Sequence, residues 1–275
     1  MTVESSDAVV ACCSALYGNP IAEILVGDSF HPGGLESTRQ LLRASGLQPG
    51  ARLLDIGCGL GASARVAASE FGLQVDAVDH SAAVVDRART GATTARVRWS
   101  TAGLPALGFD DGTFDGVLSE CVLSTVDRTI ALTEIARVVR SGGMLLISDV
   151  EAMGVTIPAL GHRIVGTVLC IDDAWVPGEM DRLLPAAGFR IAERWDRSRA
   201  IAELADRIEA RLGIARIAAR DLGLDLAGLL RPSNLDAGPP FTFEAATGAL
   251  EAVRMAVRDG TLRYTALVAI KVDAP

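Results

Sequence analysis

The sequence predicts an α/β protein, a doubly wound Rossmann-like sheet with helical additions at its N-terminus and before its last strand. Two observations carry this. Between residues 47 and 196, short apolar runs alternate with helix-forming segments at the spacing of βαβ units. One of those runs, Leu53-Leu54-Asp55-Ile56, feeds straight into glycines at alternate positions, Gly57, Gly59 and Gly61, and then into helix formers. Glycine permits positive φ and close approach of the backbone to a ligand. A strand, a glycine turn and a helix N-terminus together make a site for a nucleotide-like cofactor.

The elements follow in order. Val9, Val10, Cys13 and Leu16 fall at helical spacing and predict a short amphipathic helix over 7–16, broken by Gly18-Asn19-Pro20. A second helical piece, Ile21 to Val26, leads into a loop over Gly27-Asp28-Ser29-Phe30-His31-Pro32-Gly33-Gly34, and Leu35 to Ser45 reads as a helix closed by Gly46. Residues 1–46 therefore form an N-terminal helical cap. Pro49-Gly50 turns the chain into the first strand. A helix over 62–71 ends at Gly72, and Leu73 to Val78 is the second strand. Ser81 is an N-cap for a helix running to Thr90, with Gly91 as its C′ residue. Arg96 to Trp99 and Phe114 to Leu118 are strands three and four. Asp127 caps a helix with Ala131, Ile135 and Val138 on its apolar face, and Ser141-Gly142-Gly143 stops it before a fifth strand, Met144 to Ser148. Residues 152–170 read as a loosely helical insertion, Glu179 to Ala187 as a helix ended by Gly188, and Phe189 to Glu193 as a strand. Ile201, Leu204, Ile208, Leu212 and Ala215 make a helical stripe within 198–230, and Pro232 to Pro240 is a linker. A helix from Glu244 to Arg258, stopped by Gly260, precedes the last strand, Leu262 to Val272. The core thus spans 47–196, a helical lid 197–260 sits between the last two strands, and 261–275 returns to the core.

Composition excludes several classes of function. A net charge of −8 argues against a nucleic-acid partner. No apolar run approaches the ~20 residues that span a bilayer, and Glu4 and Asp7 stand where a signal peptide would be basic. Five cysteines without the spacing of a small secreted framework favour a reducing cytoplasm. No metal centre is expected, and the oligomeric state is open, a homodimer included.

The glycine turn also satisfies the looser G-x-G-x-x-A pattern of dinucleotide sites, so other residues must choose the cofactor. Asp55 precedes the first glycine, where such strands normally carry an apolar residue. Asp79 ends the second strand, well placed to accept hydrogen bonds from both hydroxyls of a ribose. Further on stand Leu104-Pro105 with Phe109-Asp-Asp-Gly-Thr-Phe114-Asp115, and Glu134-Ile-Ala-Arg-Val-Val-Arg-Ser-Gly-Gly143. Together these motifs resemble the class I S-adenosylmethionine-dependent methyltransferases, especially the small-molecule, ubiquinone/menaquinone-type branch. The resemblance covers residues 33 to 196 and the last strand. It implies a seven-stranded sheet with the last strand antiparallel, and S-adenosyl-L-methionine as cofactor. It further implies that Asp55, Gly57, Cys58, Gly59 and Gly61 wrap the methionine moiety and ribose, that Asp79 binds the ribose hydroxyls, and that His80 lies beside the adenine. Where the family usually has an aspartate on the adenine amino group, this chain has Ser100, Thr101 and Ala102. Ser119 and Glu120 would face the sulfonium end.

The chemistry so implied is in-line displacement at a methyl group, which asks a protein mainly for alignment and exclusion of water. A general base is needed only for a nucleophile protonated at neutral pH. His31, on its Pro-Gly-Gly loop, is the best candidate base or substrate contact, with His162 behind it; the alternative for each is a backbone-bonded loop histidine. Glu120 would balance the sulfonium or orient a substrate, or else cap a turn, and Asp149 reads as a strand-end cap. Cys12, Cys13, Cys121 and Cys170 fall in segments expected near the pocket mouth. Soft thiolates select soft ions, so a second reading has Cys12 or Cys13, Cys121 and Cys170 hold a metalloid such as arsenite, against the plainer reading of buried small hydrophobes. A non-catalytic cofactor-binding protein and an NAD(P) oxidoreductase are the remaining readings. The partner expected is a small-molecule methyl acceptor.

Overall fold

The computed structural model describes residues 27, 29, 31–91, 95–153, 171, 173–222 and 242–273. The expected helices over 7–16 and 21–26, most of the 152–170 insertion, the 232–240 linker, and Cys12, Cys13, His162 and Cys170 lie outside them.

The described helices are α1 (Gly34–Ser45), α2 (Ala62–Glu70), α3 (Ala82–Thr90), α4 (Arg128–Val138), α5 (Glu179–Ala186), α6 (Arg199–Leu222) and α7 (Phe243–Arg258). The strands are β1 (Arg52–Ile56), β2 (Gln74–Asp79), β3 (Val97–Thr101), β4 (Phe114–Glu120), β5 (Val139–Ala152), β6 (Phe189–Asp196) and β7 (Leu262–Lys271). They form one seven-stranded sheet in the order β3-β2-β1-β4-β5-β7-β6. β1 to β5 pair in parallel, and β7 runs antiparallel between β5 and β6.

Strand periodicity explains why both faces are covered. In β1, Leu53 packs with α1 and α2, while Leu54 and Ile56 pack with α4 and α5. The alternation repeats in β4 at Val117 and Leu118, and in β5 at Leu145, Leu146 and Ile147. These side chains are essentially inaccessible, each contributing about 1.5–3 kcal/mol of burial. A third apolar cluster joins α6 and α7 to each other through Leu204, Ile208, Leu250 and Val253, and to the sheet through Val150, Leu262 and Tyr264. Cys121, just beyond β4, belongs to this cluster.

Three local expectations are corrected. β5 starts at Val139 rather than Met144, because Val139 pairs with Phe114 before Met144 pairs with Gly116, and 140–143 bulge out between the two pairs. β4 continues through Ser119 and Glu120. Gly91 does not take the left-handed C′ conformation: its φ is −69°, and its hydrogen faces the Arg65 guanidinium, which a Cβ would meet at 3.2 Å.

Candidate cofactor and acceptor site

The strand order reverses between β1 and β4, both parallel to their neighbours, and an open cleft lies at their C-terminal ends, as expected at such a switch point. β1 ends at Ile56 and the chain then turns through Gly57 to Gly61 into α2. A Cβ on Gly57 would come within 2.4 Å of Val122, and one on Gly61 within 2.1 Å of the Trp99 ring. Gly59 differs: its φ is +52°, yet a Cβ would meet nothing within 4 Å, because it borders the cleft itself. Two glycines are therefore set by packing and one by approach to open space.

Three carboxylates converge on this cleft: Asp55 from β1, Asp79 from β2 and Glu120 from β4. Asp79 accepts hydrogen bonds from Gly59 N at 3.1 Å and Ser81 N at 3.0 Å, and the His80 ring nitrogen Nδ1 lies 3.4 Å from it. Asp55 is 3 % exposed, and its Oδ2 has no partner among the described residues. Burial, then the charges of Glu120 and Asp79, push the Asp55 carboxyl well above the usual carboxylate range. Glu120 Oε2 accepts from Ser63 Oγ at 2.7 Å and Thr38 Oγ1 at 2.9 Å, and lies 3.3 Å from His31 Nε2. Among the described residues its Oε1 accepts only a long bond, 3.4 Å, from Ser148 Oγ. Behind Ser148, Tyr264 OH donates to Ser148 Oγ at 2.8 Å, and the Cys121 thiol donates to Tyr264 OH at 3.8 Å. Burial pushes the Tyr264 phenol well above its ordinary value, so it remains a neutral donor.

The structure brings together His31, Asp55, Gly57, Cys58, Gly59, Asp79, His80, Ala102, Glu120 and Cys121 on the cleft. Gly61 stands behind the lining, and Ser100, Thr101 and Ser119 do not line it; the wall beyond Ala102 is made by Gly103 and Leu104 instead. Cys121 holds a left-handed φ of 56°, uncommon for a residue with a Cβ. The Cys58 thiol is raised far above its ordinary value by burial and by Asp55, which leaves it inert. Asp149 is fully buried and accepts from Val150 N in its own strand at 2.9 Å and from Ser124 N in the short turn after β4 at 3.1 Å; β5 continues past it to Ala152. Among the described residues no group of histidines, cysteines and acids is arranged to hold a metal ion, and no helix is long and apolar enough to cross a membrane.

Thr38, Ser63, Ser148 and Tyr264 were not singled out from the sequence. Thr38 carried a usable signal, since Thr38, Leu41, Leu42 and Ser45 are the buried i, i+3, i+4, i+7 face of α1. A hydroxyl on a core stripe needs a partner. Ser148 and Tyr264 meet only through β5–β7 pairing, which no local pattern reveals.

Residues 54–147 match the family described as methyltransferase domain. That match spans the glycine turn, all three carboxylates and both later motifs. Residues 54–147 form a methyltransferase domain. Among curated proteins, the chain is 31 % identical over 166 residues to the 2-methyl-6-phytyl-1,4-hydroquinone methyltransferase of a Synechocystis strain, covering 53 % of this chain and 52 % of that protein. It is 31 % identical over 132 residues to phosphoethanolamine N-methyltransferase 2 of Caenorhabditis elegans, covering 46 % and 30 %. The chain therefore spans about half or less of these relatives' length. Among solved structures, phosphoethanolamine N-methyltransferase 2 of Haemonchus contortus, with phosphomonomethylethanolamine and S-adenosylhomocysteine, superposes with a TM-score of 0.71 at 22 % identity over 95 % of this chain and 58 % of that one. The [4+2]-cyclase SpnF superposes with a TM-score of 0.63, also at 22 % identity, over 87 % and 81 %. These likenesses show the fold of the methyltransferase domain; a cyclase sharing it means that chemistry must be argued from the cleft.

Proposed function

We propose that the chain transfers a methyl group from S-adenosyl-L-methionine to a small-molecule acceptor by in-line displacement. The observation that carries this reading is the charge of the cleft. Asp55, Asp79 and Glu120 converge there, and their described partners are hydroxyls, backbone N–H groups and imidazoles. Such a cleft favours a ligand with cationic groups and opposes a pyrophosphate, which separates S-adenosylmethionine from a nicotinamide dinucleotide.

The residues fit the cofactor. The unpartnered Oδ2 of Asp55 beside the glycine turn suits the cationic end of the methionine moiety. Asp79 suits the ribose hydroxyls, and His80, Ala102, Gly103 and Leu104 the adenine side. Ser100, Thr101 and Ser119 are left out of the proposed contacts. When bound, the cofactor supplies a methyl group activated on a sulfonium. The chain's own part is to align the acceptor and to shield the reaction from water, and the packing of α6 and α7 against Cys121 and Tyr264 at this end of the sheet suits a lid. Relatives and neighbours are named for hydroquinone, phosphoethanolamine and geranyl diphosphate substrates. Together with the engagement of the Cys121 thiol by Tyr264, this favours a carbon-based acceptor over thiol-held arsenite. A cytoplasmic location belongs to the same proposal, supported by Cys58 and Cys121 standing as thiols outside any disulfide.

The test is incubation with methyl-labelled S-adenosylmethionine and a panel of phenols, alcohols, amines, thiols and As(III). Label is expected in a carbon-based acceptor. Tight binding of the cofactor without transfer to any acceptor would favour a non-catalytic binding protein.

A further inference from the structure

The polar network around Glu120 is asymmetric, and the asymmetry separates two residues that look interchangeable as bases. Both nitrogens of the His31 ring face acceptors: Nδ1 lies 3.2 Å from Pro32 O, and Nε2 lies 3.3 Å from Glu120 Oε2. Thr38 Oγ1 also lies 3.5 Å from Nε2. Both ring nitrogens are thus engaged with protein atoms, and the Nε2–H tautomer donates to the Glu120 carboxylate, which can only accept.

Glu120 shows the opposite arrangement. Oε2 gathers three donors, from Thr38, Ser63 and His31, while among the described residues Oε1 has only the long bond from Ser148. The thiol and hydroxyls of Cys121, Tyr264 and Ser148 form a chain whose donors all point toward that same oxygen. A carboxylate oxygen has room for two strong hydrogen bonds, and the Glu120 side chain, 5 % exposed, lines the cleft. One oxygen is anchored, and the other is poised to accept.

We propose that Glu120, through Oε1, is the catalytic residue that takes the proton from the methyl acceptor, with His31 a positioning residue that fixes Oε2. This rests on the methyltransferase reading and adds the acceptor class to it: a reacting atom that carries hydrogen, a hydroxyl oxygen or an amine nitrogen. As the new bond from the methyl carbon to that atom forms, the carbon–sulfur bond breaks and its electron pair stays on sulfur. The acceptor's O–H or N–H bond breaks, its electrons remain on the acceptor, and the proton passes to Oε1, leaving a neutral carboxyl that later yields it to solvent. Thioethers and heteroaromatic nitrogens without N–H have no proton to give and gain nothing from this group.

The experiment uses the full chain. Binding of S-adenosylhomocysteine is measured first, and its absence would refute the underlying methyltransferase reading. On protein that binds it, two acceptor pools are offered with methyl-labelled S-adenosylmethionine: phenols, alcohols and amines in one, thioethers and pyridines in the other. Product is expected from the first pool, with kcat reduced about 100-fold in Glu120→Gln, the scale of general-base catalysis, and affinity for S-adenosylhomocysteine changed less than threefold. Glu120→Asp, which keeps the carboxylate but shortens its reach, should recover part of the rate. Product from the second pool alone, from neither pool, or an undiminished rate in Glu120→Gln would overturn the proposal. Nitrogen NMR of the His31 ring supplies a readout independent of any acceptor: Nε2 should carry a proton throughout the active pH range. A bare, pyridine-like Nε2 would return the role of base to His31.

Discussion

The two ends of the parallel sheet use the same side chain for opposite purposes. At the N-terminal edge, Asp76 bonds Arg98 at 2.7 Å and Arg52 at 3.1 Å, and Asp115 bonds Arg140 at 2.7 Å and the Arg52 backbone N at 2.8 Å. Burial alone would raise both carboxyls, but the guanidinium partners hold them below the usual range. At the C-terminal edge, Asp55, Asp79 and Glu120 meet neutral donors and imidazoles, and Asp55 is pushed up. Charge closed off by arginine holds strands together, whereas charge left with spare acceptor capacity around a cleft is available to a ligand.

That contrast breaks most easily at Asp79. Replacing it with alanine should weaken S-adenosylhomocysteine binding about 100-fold, two charge-assisted hydrogen bonds of about 1.5 kcal/mol each, in a calorimetric titration of a variant whose circular dichroism confirms the fold. A change under threefold would mean that the carboxylate does not hold the ribose. Gly59→Ala comes next. It places a methyl in the open cleft at a left-handed φ, at a backbone cost of about 1–2 kcal/mol, and should reduce affinity about tenfold with a small drop in Tm.

The other edge should respond in stability alone. Asp76→Ala removes a 5 %-exposed acceptor from two arginines that are themselves largely exposed, so the loss in chemical denaturation should be about 1 kcal/mol, with affinity unchanged within twofold. A tenfold loss of affinity there would show that the two ends are coupled.

The smallest effect is one of sign. Because the folded-state pKa of Asp55 is raised, the folded chain binds more protons than the unfolded one between the ordinary carboxylate value and the raised one. Its contribution to apoprotein stability is therefore greatest below that window and is lost as pH rises through it. Asp76, held low, contributes stability above the ordinary value and loses it as pH falls toward its folded value. Asp55→Asn should flatten the first dependence and Asp76→Asn the second, read as ΔG of unfolding against pH. Asp149, also raised by burial, adds to the first trend in every variant, so the difference between wild type and Asp55→Asn is the quantity to compare.

Much of the C-terminal edge was legible because it is written locally. Asp55 and the glycines lie within seven residues on one strand and turn, and Asp79 follows at the end of the next strand. Patterns of period two and 3.6 gave the order of strands and helices across the described core. The Arg–Asp lattice was not legible: Arg52, Asp76, Arg98, Asp115 and Arg140 come from five strands, and only the register Arg52↔Gln74 and Asp76↔Arg98 brings them together. The anchoring of Glu120 was hidden in the same way, since its partners come from α1, α2 and β5. The bulge over 140–143 was missed because Ser-Gly-Gly reads as a stop, and only pairing of Val139 with Phe114 shows the strand beginning before it. Sequence names the residues at a turn, whereas sheet register decides which side chains from distant strands share a partner.

Under the proposed function, the carboxylate-lined cleft binds a cofactor with cationic groups. Calorimetric titration of the full chain with S-adenosylmethionine, S-adenosylhomocysteine and NADH tests it most directly. Saturable binding of the first two with no heat from NADH is the predicted result; binding of NADH in preference to both would contradict it.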